Sequence, residues 1–271
     1  MALRINYNFE SVSAQRNLSG TQNSYARAIE QLSSGLRINK ASDDSAGLAV
    51  SEKLKNQVRG LNQAQRNAQD GISLLQTAEG ALNETHSILA RMRELAVQSS
   101  NDTLTNADRL HIQDEVNQLL SEVDRIAAST QFNNIALLNG AGQATGLQFH
   151  VGPNNIVAAS VDEVTFGFTS ASTTGLTITN LRTAGAQSMT TQSGANAAIS
   201  VLDTAIETVS TRRGAIGAMQ NRLTSTIASL GVASENTGAA NSRIRDADVA
   251  ASVSEMVRNQ ILQQSTMAVL A

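Results

Sequence analysis

An apolar residue returns every seven positions through Leu61, Ala68, Leu75, Leu82, Leu89 and Ala96, and Leu74, Ala81, Ile88 and Leu95 keep the same spacing one position earlier. A heptad sustained this far keeps one stripe of a helix apolar over about ten turns. No proline interrupts it, since the only proline in the chain is Pro153. About 55 helical residues rising 1.5 Å each make a rod of roughly 80 Å. A rod of that length cannot close a core on itself. It requires partner helices along its length.

One partner is legible near the other end of the chain. Leu202, Val209, Ile216, Leu223 and Leu230 again fall at sevens, with Ala205, Met219 and Ala233 beside them. Two matched stripes separated by more than a hundred residues predict a chain that runs out and returns. The fold class expected is mainly α: a long antiparallel coiled-coil-like rod built from N- and C-terminal helices, with a small β region inserted at mid-chain. Aromatic residues are only 3% of the chain and tryptophan is absent, which argues against a thick globular core.

Along the chain, Leu18, Tyr25 and Leu32 form a weaker seven-residue pattern beside Ala14, Ala28 and Ile29. Ser33-Ser34-Gly35 breaks it, and Ser42, Asp43 or Asp44 is placed to cap the long helix. Gly47, Gly60, Gly71 and Gly80 lie within that helix, each costing about 1 kcal/mol relative to alanine. Close approach by a neighbouring helix is the expected reason for them. Thr105 or Asn106 caps a second helix, with Asp108 in its first turn and Ile112, Val116, Leu119, Val123 and Ile126 along one face. A turn at 130–134 leads to a short apolar run ending at Leu138.

Period-two alternation then predicts strands at 147–151, 164–168 and, more briefly, 176–178. This stretch is rich in serine and threonine, which an extracellular protein could offer to sugars. The returning helix is expected from about Asn196 to Ala233, broken by 234–238 and followed by an amphipathic segment carrying Val249, Val253, Met256, Val257, Ile261 and Leu262. Leucine-sized side chains contribute about 2 kcal/mol each when buried, against roughly 1–2 kcal/mol per backbone residue ordered. The few such residues at each end predict ends that are disordered alone and helical only against other subunits.

Catalytic chemistry is not indicated. His86, His111 and His150 fall on separate elements without metal-ligand spacing, and Asp43-Asp44 and Asp246-Ala-Asp248 sit where helix caps belong. Gly214-Ala-Ile-Gly217 reads as close helix packing rather than a phosphate loop. There are no cysteines, so disulfides and thiolate chemistry are excluded. The reading is a chain with no cofactor, no metal and no catalytic residues. A net charge of −3 without a basic cluster gives no nucleic-acid surface. The first residues lack a secretory signal, and the sequence has no run of eighteen apolar residues for membrane insertion.

Several stretches carry a family resemblance. INKASDDSAGLAVSEKLKNQVRGL (38–61), DGISLLQTAEGALNETHSIL (70–89), RELAVQS (93–99) and TQFNNIALLNG (130–140) resemble bacterial flagellin. So do GAIGAMQNRL (214–223), SENTGAANSRIRDADVA (234–250) and NQILQQ (259–264). The resemblance implies a subunit that polymerises into the extracellular flagellar filament for swimming motility. It is exported unfolded through the flagellar type III channel without a cleaved signal. Residues 1–43 and 235–271 correspond to inner-tube segments, 44–140 and 186–234 to the rod domain, and 141–185 to a short variable β region. Leu61, Leu75, Leu82, Leu89, Leu202, Val209, Ile216, Leu223 and Leu230 are expected in the rod core and assembly. In the family a Gln/Asn-rich, leucine-ending tail usually continues past the position of Leu270-Ala271, so the last segment reads as truncated.

The partners implied are other copies of the chain in a helical homopolymer, an export chaperone, the filament cap and hook-junction proteins. The resemblance also implies recognition by vertebrate Toll-like receptor 5 through an exposed patch at Arg91, Leu95 and Glu115. The competing readings are a hook–filament junction protein and a secreted coiled-coil adhesin.

Overall fold

A computed structural model describes residues 8–140, 146–154, 162–183 and 185–270. Parts of the expected 1–43, 141–185 and 235–271 segments therefore lie outside the described residues. The helices are α1 (Phe9–Ser34), α2 (Ser45–Ser99), α3 (Asn106–Ser129), α4 (Gln192–Arg245) and α5 (Val249–Leu270). Two small antiparallel hairpins join them, β1 (Gln131–Phe132) with β2 (Ile135–Ala136), and β3 (Leu147–His150) with β4 (Glu163–Phe166). A mainly α chain with a small β insertion is what the heptads predict. The residues form two compact units, 1–59 with 232–271 (unit 1) and 60–231 (unit 2). Both divisions fall inside helices, within α2 and α4.

The caps explain where the helices begin. Asp44 Oδ1 accepts from the Gly47 N–H at 2.8 Å and starts α2. Its neighbour Asp43 accepts instead from the N–H groups of Lys40 (3.0 Å) and Asn39 (3.2 Å), which hold its carboxyl below the usual aspartate range. Thr105 caps α3 in a reciprocal box with Asp108, whose carboxylate accepts from the Thr105 N–H at 2.9 Å. Asp248 accepts from Ala250 N–H and Ala251 N–H at the start of α5.

The core of unit 2 is the meeting of the two seven-residue stripes. Leu61, Ala68, Leu75, Leu82, Leu89 and Ala96 are all buried, as are Leu202, Val209, Ile216, Leu223 and Leu230. The polar contacts fix the direction: Arg93 meets Asp203 at 2.6 Å, and Gln220 meets Glu79 at 3.1 Å. Rising numbers on α2 meet falling numbers on α4, so these helices are antiparallel. Helix α3 adds a third face, centred on Ile112, Val116, Leu120, Val123 and Ala127. Leu119 and Ile126, expected on that face, are only partly buried, because the buried stripe passes through Leu120 and Ala127 in their place.

Other departures have local causes. The 234–238 stretch does not end the returning helix; α4 runs through it to Arg245. Helix propensities of serine, threonine and asparagine differ from alanine by under about 1 kcal/mol each, which is not enough to break a helix. The stop comes where backbone pairing takes over: Arg37 N–H donates to Arg245 O (2.7 Å) and Ala247 N–H to Gly35 O (2.9 Å), forming an isolated bridge between Leu36 and Asp246. Residues 176–178 form a turn rather than a strand. Thr177 sits at φ +58, so Leu176 and Ile178 both point inward.

The turn expected at 130–134 carries the β1–β2 hairpin, whose two central residues, Asn133 (φ +47) and Asn134 (φ +63), are the type that a two-residue hairpin demands. The glycines are not packed against helices as a class. Gly60 faces Pro153, and Gly71 faces the Phe149 ring as well as Leu223. A side chain at Gly47 would collide with Asp44 and Ile38, whereas Gly80, Gly214 and Gly217 have open space where a Cβ would go. Finally, α1 and α5 are helical and pack together in unit 1.

Candidate functional site

No catalytic constellation assembles among the described residues. His86, His111 and His150 stay on α2, α3 and β3, and no group of three or more metal-capable side chains gathers among the described residues. No described helix is long and apolar enough to cross a membrane. What the structure offers instead is surface and framework.

The framework of unit 2 contains a buried polar network that periodicity does not reveal. Gln113, fully buried on α3, donates to Leu181 O at 2.8 Å and accepts from Met189 N–H at 2.6 Å. Ser99, also buried, donates to Met189 O at 2.7 Å, and buried Arg109 donates to Ser99 O at 2.8 Å and Asn101 O at 3.0 Å. The backbone of Leu181 and Met189 thus finds its partners in side chains of α2 and α3. Nearby, Asp124 accepts from the Thr173 N–H and hydroxyl and pairs with Arg182 at 2.8 Å. The sequence signal was faint: a glutamine and an arginine on the helix face that carries valines and leucines.

The residues expected at a receptor patch separate into two kinds. Arg91 is half-exposed and donates to Glu115 Oε1 from Nε (3.1 Å) and Nη2 (3.0 Å), with Glu94 at 3.2 Å. Glu115 and then Glu94 raise the pKa of its guanidinium above the ordinary arginine value. Leu95, by contrast, is 2% exposed and belongs to the core of unit 2. It is not part of an exposed patch in this structure. Its neighbour Val97 is the open apolar residue on that stretch of α2.

In unit 1, helix α1 buries only Ala14 and Ala28. Helix α5 leaves Val249, Val253, Val257 and Ile261 exposed at four-residue spacing, with Leu262 and Met267 nearby. Such a row is one face of a helix without a cover. Phe9 and Ile29 of α1 are exposed too. At the other end of the unit, Arg245 of α4 pairs with Glu52 of α2, and this hydrogen bond holds the Glu52 carboxyl below its usual value.

With this geometry in hand, comparison with known proteins decides the family. Residues 5–143 match the bacterial flagellin N-terminal helical region, and residues 199–271 match the bacterial flagellin C-terminal helical region. The chain belongs to the bacterial flagellin family. Among similar members is a flagellin of Halalkalibacterium halodurans, 47% identical over 98% of this chain and 94% of the relative. The flagellar filament 30.7 kDa core protein of Treponema maltophilum is 46% identical over the same shares. Among solved structures, Bacillus cereus flagellin is 33% identical, with a TM-score of 0.50, over 61% of this chain and 88% of that one. A structure titled as a putative flagellar hook-associated protein from Vibrio parahaemolyticus has a TM-score of 0.60 at 14% identity, a likeness of fold alone.

Proposed function

We propose that this chain is a structural, non-catalytic subunit that self-assembles into the extracellular filament of a bacterial flagellum and serves swimming motility. The observation that carries the reading is the presence of both flagellin helical regions, in order, in one chain. The open row on α5 supports it physically: apolar side chains held in water gain about 25 cal/mol per Å² when another surface covers them. Other copies of the chain are the proposed cover. Before assembly, an export chaperone would shield the same residues, and the filament cap and hook-junction proteins would meet the chain at the ends of the polymer. Export is proposed to proceed without a cleaved signal.

The test is seeded polymerisation. Purified chain added to short filament fragments is expected to sediment with them and lengthen them in negative-stain images. A Val253→Asp/Val257→Asp variant is expected to remain in the supernatant while keeping its helical circular dichroism. Failure of the unmodified chain to add to any flagellar seed overturns the reading.

Recognition by Toll-like receptor 5 is proposed to rest on Arg91, Glu94 and Glu115, with Leu95 acting only through the position of α2. A charged, hydrogen-bonded arginine at a surface suits an interface anchor. Unchanged receptor signalling by an Arg91→Ala/Glu115→Ala variant would remove that part of the proposal.

A further inference from the structure

Four arginines of unit 2 meet carboxylates, Arg91 with Glu115, Arg93 with Asp203, Arg125 with Glu122 and Arg182 with Asp124, while buried Arg109 is held by the carbonyls of Ser99 and Asn101. Arg212 on α4 is also held by carbonyls, but at the edge of a pocket. Its Nη1 donates to Ser170 O at 2.6 Å and its Nη2 to Gly175 O at 3.2 Å. Both acceptors are neutral carbonyls, and no carboxylate among the described residues lies within ion-pair distance. The head group is partly buried, and that burial alone pushes its pKa below the ordinary arginine value. A guanidinium carries five N–H donors, so donors remain after the two carbonyls are served.

The same arginine stands at the edge of an apolar pocket of about 210 Å³, lined by Leu82, Leu138, Phe166, Phe168 and Ile216. Phe166 and Phe168 meet edge to face, with centroids 4.9 Å apart, which fixes that wall. An apolar cavity of about 150 Å³ already accommodates benzene. The pocket is therefore large enough for a six-membered ring or a chain of several methylenes. It is too apolar for a strongly hydrated anion such as sulfate or inorganic phosphate.

We propose that this pocket binds a compact amphipathic carboxylate, a short-chain aliphatic or monocyclic aromatic acid. Its carboxylate meets Arg212, and its apolar body lies against Leu82, Phe166, Phe168 and Ile216. The two carbonyl bonds hold the guanidinium in place before the ligand arrives, so little side-chain freedom is lost on binding. A carboxylate supplies the charge that the protein leaves uncompensated, and the ring or chain displaces water from an apolar wall.

The experiment uses the monomeric chain with phenylacetate and hexanoate, read by saturation-transfer NMR and isothermal titration. Saturable binding with Kd around 0.1–1 mM is expected for ligands of this size. Saturation should be strongest at ring and chain protons far from the carboxylate. Arg212→Gln is expected to weaken binding about tenfold or more, as loss of a charge-assisted pair requires. Ala215→Leu is a second probe: residue 215 lines the pocket and is exposed on α4, so the variant can fold while adding bulk to the space. It is expected to abolish binding with an unchanged circular dichroism spectrum. The uncharged analogues 2-phenylethanol and hexan-1-ol should bind at least about tenfold more weakly. The proposal is overturned if the unmodified chain shows no saturable binding at about 10 mM acid, if the alcohols bind as well as the acids, or if neither variant changes the affinity.

Discussion

Helix α2 within unit 2 and helix α5 within unit 1 carry apolar rows of similar sequence character and meet opposite fates. On α2, Leu75 and Leu89 are fully buried, because α4 brings Leu202, Val209 and Leu223 back along them and α3 adds Val116 and Leu120. On α5, Val249 is 55% exposed and Ile261 58%, while α1 meets the helix through small residues such as Ala14 and Ala28. Unit 2 contains both sides of its seam within one chain. Unit 1 contains one side of a seam whose other side must come from elsewhere. Periodicity shows that a helix has an apolar face; it does not say whether the cover for that face is in the same chain.

Large-to-small substitution gives the sharpest way to break the comparison. Leu82→Ala, in the sealed seam, is expected to lower unfolding stability by about 3–4 kcal/mol, read from urea melts. Next comes the polar network. Gln113→Ala leaves Met189 N–H and Leu181 O buried without partners and is expected to cost about 2 kcal/mol in the same assay. Loss of the cap in Thr105→Ala should cost about 1 kcal/mol, with faster amide exchange confined to the first turn of α3.

The cap also carries a pH dependence whose sign can be worked out. Hydrogen bonding by the Thr105 hydroxyl, then its N–H, holds the Asp108 carboxyl below its ordinary value of 3.8. The folded state thus releases this proton more readily than the unfolded state. Its stabilisation is present above the unfolded value and is lost as pH falls through the lower folded one. Melts taken below pH 4 should therefore show a downward step that is smaller in Thr105→Ala. The smallest effect is expected in unit 1: Ile261→Ala should change unfolding stability in urea melts by no more than about 0.5 kcal/mol, yet slow seeded filament growth. If Ile261→Ala destabilised the monomer as Leu82→Ala does, α5 would be sealed after all and the contrast would fail.

Much of this was legible in the residues because it depends on spacing along single helices. Leu61 to Ala96 and Leu202 to Leu230 state their own burial, and Thr105 with Asp108 states its own cap. What escaped depends on meetings between distant segments. Gln113 looks like a polar interruption until Leu181 and Met189 bring their backbone to it. Leu95 belongs to a surface by resemblance, and to the core once α3 is packed beside it. Ser234 to Gly238 looks like a helix stop because its composition is poor in helix formers, whereas the stop is imposed at Asp246 by pairing with Leu36. Arg212 is an ordinary surface cation by sequence. Only the turn of 170–175 across it shows that its partners are carbonyls.

The bridge between Leu36 and Asp246 also sets a schedule. It joins parts of the chain some two hundred positions apart; the Arg37–Ile244 side-chain contact alone spans 207. A chain made from its N-terminus at roughly 5–20 residues per second reaches the second half of that bridge about 10–40 s after the first. For that interval α1 exists without α5, and its alanine face has nothing to rest on. Burial of Ala14 and Ala28 therefore waits until α5 has been made.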